Sequence, residues 1–193
     1  MCGLTSRRSQ PPLALSVPLS RFTSRVGGGS AFFVRHRMRT FQYQIFADYH
    51  QFYLQDDDQS FGDLAQAWTD AATDRLLAVA PHVIGVGTVR NTTVPVSVAV
   101  HESQPKIEPD EWDHITTASL QIDTGRIVVA GCTDYYPDAA RIEVRPGVYE
   151  AIICYAKLAS LSPDGFEGED SYHVHLFPGH EIEPAIIKKR NDA

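Results

Sequence analysis

The stretch HITTASLQIDTGRIVVA, residues 114–130, decides the fold. Ala118, Leu120 and Ile122 recur at every second position, and a second apolar run fills Ile127–Ala130. A period of two is the strand period, because successive side chains point to opposite faces. Asp123-Thr124-Gly125 between the runs is turn chemistry. The stretch therefore reads as a β-hairpin. Working outward, Phe41–Phe46, Tyr49–Leu54, Val83–Val89, Val94–Val100, Ala140–Val144, Gly147–Leu158 and Tyr172–Phe177 read as further strands, making eight to nine. Gly85 and Gly87 inside one of them signal a bulge or a close backbone approach, and Pro95 signals an edge or a strand start. Turn residues recur at Asn91, Pro137, Pro146-Gly147, Pro163-Asp164-Gly165 and Pro178-Gly179. Only Leu64, Trp68, Ala71, Ala72, Leu76 and Val79 keep helical spacing, with Asp63 before them and Pro81 after. The expected fold is mainly β, a two-sheet β-sandwich with one short helix; a β-barrel is the alternative. Residues 184–193 are polar and are expected to fray.

The chain has 193 residues and a net charge of −7. Hydrophobic content of 43% is sufficient for a core. No run of about 18 or more apolar residues is present, so no membrane span is expected. The charge is uneven. Residues 1–37 hold Arg7, Arg8, Arg21, Arg25, Arg35 and Arg37 and no Lys, Asp or Glu. That segment is expected to be a disordered basic tail, a targeting segment, or sequence upstream of a start at Met38. The body, 38–193, is expected to be one domain. It has 11 basic against 24 acidic residues, which disfavours nucleic-acid binding and favours a basic protein partner.

Three cysteines, odd in number and unclustered, argue against a disulfide framework or a zinc ribbon. Cys132 and Cys154 lie in apolar runs and are expected to be buried thiols in a cytoplasmic protein. The candidate contact residues are the acids Asp56, Asp57 and Asp58, expected in a solvated turn, and Glu108, Asp110 and Glu111 in a loop flanked by Glu102 and Asp113. Tyr135 and Tyr136 join them, because adjacent tyrosines point opposite ways and one should be exposed. Two other readings stay open. His173 and His175 would share one face of a strand and, with a third ligand such as His101 or His180, suit a metal-binding enzyme or sensor. Tyr135, Tyr136 and Trp112 would suit a small ligand. There is no phosphate-binding glycine loop, no nucleophile elbow and no cysteine–histidine pair, so no catalytic residue or cofactor is assigned.

Tyr49-His50-Gln51-Phe52, then Trp68-Thr69-Asp70-Ala71-Ala72, then Arg90-Asn91-Thr92, and later Pro146-Gly147-Val148-Tyr149, resemble in order and spacing the competence protein J family. That family is also described as the inhibitor of the nuclease that acts at DNA uptake. The resemblance spans about 42–178. It implies a small non-enzymatic protein that binds and suppresses a nuclease at or outside the membrane. It leaves open whether Tyr49, His50, Gln51, Phe52, Trp68, Thr69, Asp70, Arg90 and Asn91 make contacts or build the fold. Residues 1–37 have no counterpart in the family, and 102–113 and Gly165–Asp170 are longer than its pattern requires.

Overall fold

The two runs of residues 114–130 form strands, but they do not pair with each other. The computed structural model describes residues 38–58 and 62–191, so the expectations for 1–37 lie outside the described residues. The described residues form eleven strands: β1 Arg39–Phe46, β2 Gln51–Asp56, β3 Leu77–Ala80, β4 Val83–Gly87, β5 Thr93–Val100, β6 His114–Ile122, β7 Arg126–Gly131, β8 Ala140–Glu143, β9 Gly147–Ala156, β10 Ser171–Pro178 and β11 Ala185–Lys188. Sheet A has the order β1-β5-β10-β9-β6-β11 and sheet B the order β3-β4-β2-β7-β8. The pairings are antiparallel except β10 with β5. The result is the expected two-sheet sandwich, without a closed barrel.

The expected hairpin is thus an arch between sheets: β6 pairs with β9 and β11, whereas β7 pairs with β2 and β8. Both strands turn apolar residues to one core, Ala118, Leu120 and Ile122 from one sheet and Ile127 and Val129 from the other. Alternation alone is the same for a hairpin and an arch. The arch is fixed by a residue 67 positions away: Asp56 accepts from the Asp123 and Thr124 amides and from the Thr124 hydroxyl.

The expected helix is broken. α1 (Leu64–Ala67) is capped by the Asp63 carboxylate and α2 (Asp70–Arg75) by the Thr69 hydroxyl, each accepting a first-turn amide hydrogen bond. Trp68 leaves the helix between them so that its indole N–H can donate to Gln51 Oε1. Leu76 closes α2 in the left-handed region, φ 54°, and Val79 falls in β3. Gly85 is a close approach, as expected: a Cβ there would lie 2.9 Å from Leu64 and 3.2 Å from Trp68. Pro95 sits near the start of the interior strand β5, before the ladder to β10 begins at Val96. Ala185–Lys188, expected to fray, pairs with β6. No helix among the described residues is long and apolar enough to cross a membrane.

An aromatic row crosses the core. Phe52 meets Tyr172 edge-on at 6.0 Å, Tyr172 meets Tyr155 at 5.8 Å, and Tyr155 meets His114 at 5.2 Å. All four are fully buried. Such pairs each contribute about 0.5–1.5 kcal/mol beyond the area they bury. Their polar tips are satisfied. Tyr155 donates to Leu76 O (2.7 Å), while Tyr172 donates to Asp170 Oδ2 (2.8 Å) and accepts from the Val89 amide (2.9 Å). His114 accepts from the Arg190 amide at Nδ1 and donates from Nε2 to Arg75 O.

Removing the Tyr172 hydroxyl takes a partner from the half-buried Val89 amide and from Oδ2 of the buried Asp170, whose Oδ1 stays with Arg90. Tyr172→Phe is expected to cost about 1–3 kcal/mol in urea unfolding with an unchanged denaturant slope. A change within experimental error would mean that these hydrogen bonds hold nothing.

Candidate functional site

One end of the sandwich gathers the turn 47–50 between β1 and β2, the connection 88–92, the loop 132–139 after β7 and the loop 157–170 before β10. Backbone and side-chain bonds join them. The Ala47 amide donates to Thr92 O, Cys132 Sγ to Asp48 O, and the Thr92 hydroxyl to Phe166 O. Tyr49 and His50 both lie at φ 57°, a conformation that costs a non-glycine residue energy and swings the Tyr49 ring outward. Gly131 leaves room for the Phe46 carbonyl.

Four large apolar side chains are exposed at this end: Phe46 (46%), Tyr49 (74%), Tyr135 (72%) and Phe166 (62%). They are four of the six such residues among the described ones, so exposed large apolar side chains concentrate at this end. The same loops carry Asp48, Asp134, Asp138, Asp164, Glu167 and Glu169. Lys157 is a cation here and is paired with Glu169 at 2.8 Å.

The family-motif residues mostly build this end. Arg90 is buried, ion-pairs with Asp170 and reaches Phe166 O. Gln51 and Trp68 bond each other, Thr69 caps α2, and Phe52 is core. Tyr49, His50, Asp70 and Asn91 are exposed.

The predicted contact residues fall in three places. Asp56 is 0% exposed and accepts from the Asp57, Asp123 and Thr124 amides. Asp57 holds Arg126 at 2.8 Å and Arg141 at 3.1 Å and accepts from the Tyr136 hydroxyl. The expected solvated turn is therefore largely internal, and only Asp58 is exposed. Tyr136 lies half-buried against Arg141, whose guanidinium is 5.3 Å from the ring. Tyr135 points out, so one tyrosine of the pair is exposed, as expected.

Residues 102–113 cross the outer face of sheet A as a strap. Trp112 packs on His173 at 4.8 Å, and Ile107 helps close an apolar cavity of about 350 Å³ over Ile115, Ile152 and Phe177. Glu108, Asp110 and Glu111 are exposed on the strap. Glu108 pairs with Lys106, and Asp110 lines a cavity with Lys188, Lys189 and Arg190, of which Lys189 is itself paired with Asp74.

His173 and His175 do share a face of β10, and His101 reaches His175, but among the described residues these histidines do not bring three ligand atoms to metal-binding spacing. His173 bonds Ser171, whereas His175 Nδ1 lies 3.0 Å from His101 Nε2, one nitrogen donating and the other accepting. His180 pairs with Glu150 instead. Among the described residues, the cluster with metal-ligand spacing is Asp56, His82 and Asp123. Cys154 is buried, as expected, while Cys132 is half-buried and accepts from the Tyr53 hydroxyl.

The sequence reading missed Phe46 and Phe166. The signal for Phe46 was present: Phe41, Tyr43 and Ile45 keep one phase, and Phe46 breaks it at the strand's end. Phe166 carried only the weaker signal of an aromatic ring in a polar loop.

No known family matches the sequence, and no curated protein does. Among solved structures, the chain is similar to ComJ of Bacillus subtilis, described as the inhibitor of the DNA-degrading activity of NucA. The TM-score is 0.56 at 17% identity, over 76% of this chain and 100% of ComJ. It is also similar to the product of crocagin biosynthetic gene J, with a TM-score of 0.47 at 16% identity, over 75% of this chain and 99% of that one. The likeness to ComJ is one of fold.

Burial lowers the pKa of His114 and His173, and burial together with His101 and His173 lowers that of His175 to about 4. Unfolded imidazoles titrate near about 6.5, so below that pH the unfolded chain binds more protons than the folded one. Stability is expected to be full above pH about 6.5 and to fall as the pH drops toward 4. His175→Gln should flatten that fall in urea midpoints measured across the window. An equally steep fall in the variant would remove His175 from the account.

Proposed function

We propose that this chain is a non-enzymatic inhibitor that binds a DNA-degrading nuclease through the end of the sandwich carrying Phe46, Tyr49, Tyr135 and Phe166. The observation that carries the reading is that cluster of exposed aromatic rings set among acidic loops. Aromatic side chains are the common anchors of protein interfaces, burying large areas at low entropic cost. A nuclease must present positive charge to the phosphate backbone, and an acidic surface competes for the same charge. The fold shared with ComJ, an inhibitor of NucA, points to the same class of partner.

The division of labour among residues follows from their surroundings. Tyr135 is a contact residue, together with Phe46, Tyr49 and Phe166. Asp56, Asp57 and Tyr136 are spent on internal bonds and leave the contact set. Asp58, Glu108, Asp110 and Glu111 contribute to the long-range field that steers a basic partner rather than to the contact itself.

The full chain, titrated into a NucA-type nuclease from the same organism, should abolish DNA cleavage near one-to-one while cleaving no DNA itself. Raising the salt from 50 to 300 mM shortens the screening length about 2.5-fold and should weaken inhibition. Tyr49→Ala and Tyr135→Ala should each raise the inhibition constant by about 10- to 100-fold, the effect of losing a central anchor. Glu108→Gln should change it by less than threefold. Cleavage that persists at saturating inhibitor would overturn the proposal.

A further inference from the structure

The opposite end of the sandwich holds a cluster that the inhibitor reading does not use. Asp56 closes β2, His82 sits in the tight turn between β3 and β4, and Asp123 opens the arch between β6 and β7. One ligand atom from each, two carboxylate oxygens and an imidazole nitrogen, lie within 4.8 Å of one another. The residues come from three separate connections and are 26 to 67 positions apart, so no local turn accounts for their meeting.

Each is held in place by its backbone. His82 is fixed in the left-handed region at φ 62°, and its carbonyl accepts from the Asp56 amide at 2.9 Å. His82 Nδ1 is shielded from solvent and has no hydrogen-bond partner. It faces Asp123 Oδ2 at 3.7 Å, too far for a hydrogen bond. Asp56 is a fully buried carboxylate. Its Oδ1 takes the Asp57 amide and the Thr124 hydroxyl, while Oδ2 takes the Asp123 amide and shares the Thr124 amide. The second oxygen thus retains the greater accepting capacity. The Asp123 side chain is 60% exposed, which leaves the outer side of the cluster open to water, and a cavity of about 510 Å³ adjoins His82.

We infer that Asp56, His82 and Asp123 form a binding site for a divalent transition-metal ion, zinc by preference. One imidazole and two carboxylates are a mixed nitrogen and oxygen set that suits zinc or manganese; calcium requires six to eight oxygens, more than this corner supplies. Ligand bonds of about 2.0–2.2 Å in a tetrahedron place neighbouring donor atoms about 3.3–3.6 Å apart, so the 3.7 Å between His82 and Asp123 is near that spacing, and the separations to Asp56, all within 4.8 Å, close by about an ångström or less on binding. The ion would tie the end of β2, the β3–β4 turn and the β6–β7 arch together, so it would join the two sheets at one corner. No chemistry on a substrate is assigned to it.

The test is calorimetric titration of the metal-free full chain with zinc, manganese, calcium and magnesium, alongside thermal unfolding with each. One zinc should bind per chain and raise the melting temperature; manganese should bind more weakly, and calcium and magnesium should leave the melting temperature unchanged. His82→Asn, which tolerates the left-handed backbone, and Asp123→Asn should each weaken zinc binding at least tenfold. His175→Gln, at the other histidine cluster, should leave it unchanged. Absence of zinc binding to the wild-type chain, or binding that survives both His82→Asn and Asp123→Asn, would overturn the assignment and leave His82 and Asp123 as an ordinary ion pair.

Discussion

The edge-to-face row of Phe52, Tyr172, Tyr155 and His114 is the interaction on which the rest of the structure depends. Each ring beyond Phe52 has an apolar body in the core and a polar tip that must find a partner, because an unpaired buried polar group costs about 1–3 kcal/mol. The partners are loop backbones and a loop carboxylate. Tyr155 fixes Leu76 at the end of α2. His114 fixes Arg75 and the chain at Arg190. Tyr172 fixes Val89 and, through Asp170 and Arg90, the loop that presents Phe166. Core packing and loop placement are therefore one problem at this end. The exposed rings stand on a rigid base, which lowers the entropic cost of presenting them to a partner.

The two ends of the sandwich are built on opposite principles. At one, acids turn inward: Asp56 and Asp57 hold turns and guanidiniums and leave little charge for solvent. At the other, acids and aromatic rings face outward on loops tied down by hydrogen bonds to Asp48, Asp134 and Asp164. The net acidity of the chain does not distinguish these uses. Position does, and it is why the proposed contact surface lies on the loops around Tyr49 and Tyr135.

Much of the fold was legible because it is written in local pattern. Alternation located β1, β5, β6 and β10, and apolar runs located β7 and β9; Asp63 marked a helix start, and Gly85 marked the close approach of Leu64 and Trp68. The unreadable parts depend on partners far along the chain. Nothing near residue 123 reveals that Asp56 captures its turn, so a hairpin and an arch look alike. The strap reads as a free loop until sheet A is seen beneath it, since Ile115, Ile152 and Phe177 need a cover that only the fold brings to them. β3 was hidden inside a helical spacing that Trp68 breaks to reach Gln51. The same long-range logic concealed the metal-ligand cluster, whose three residues carry no common motif.

Amide hydrogen exchange of the full chain, alone and with a saturating NucA-type nuclease, tests the placement of the proposed contact surface most directly. The expected result is slowed exchange concentrated at 46–50, 132–135 and 164–168, with 102–113 unchanged. Protection centred on 102–113 or on the corner of His82 and Asp123, with the aromatic loops exchanging as before, would contradict it.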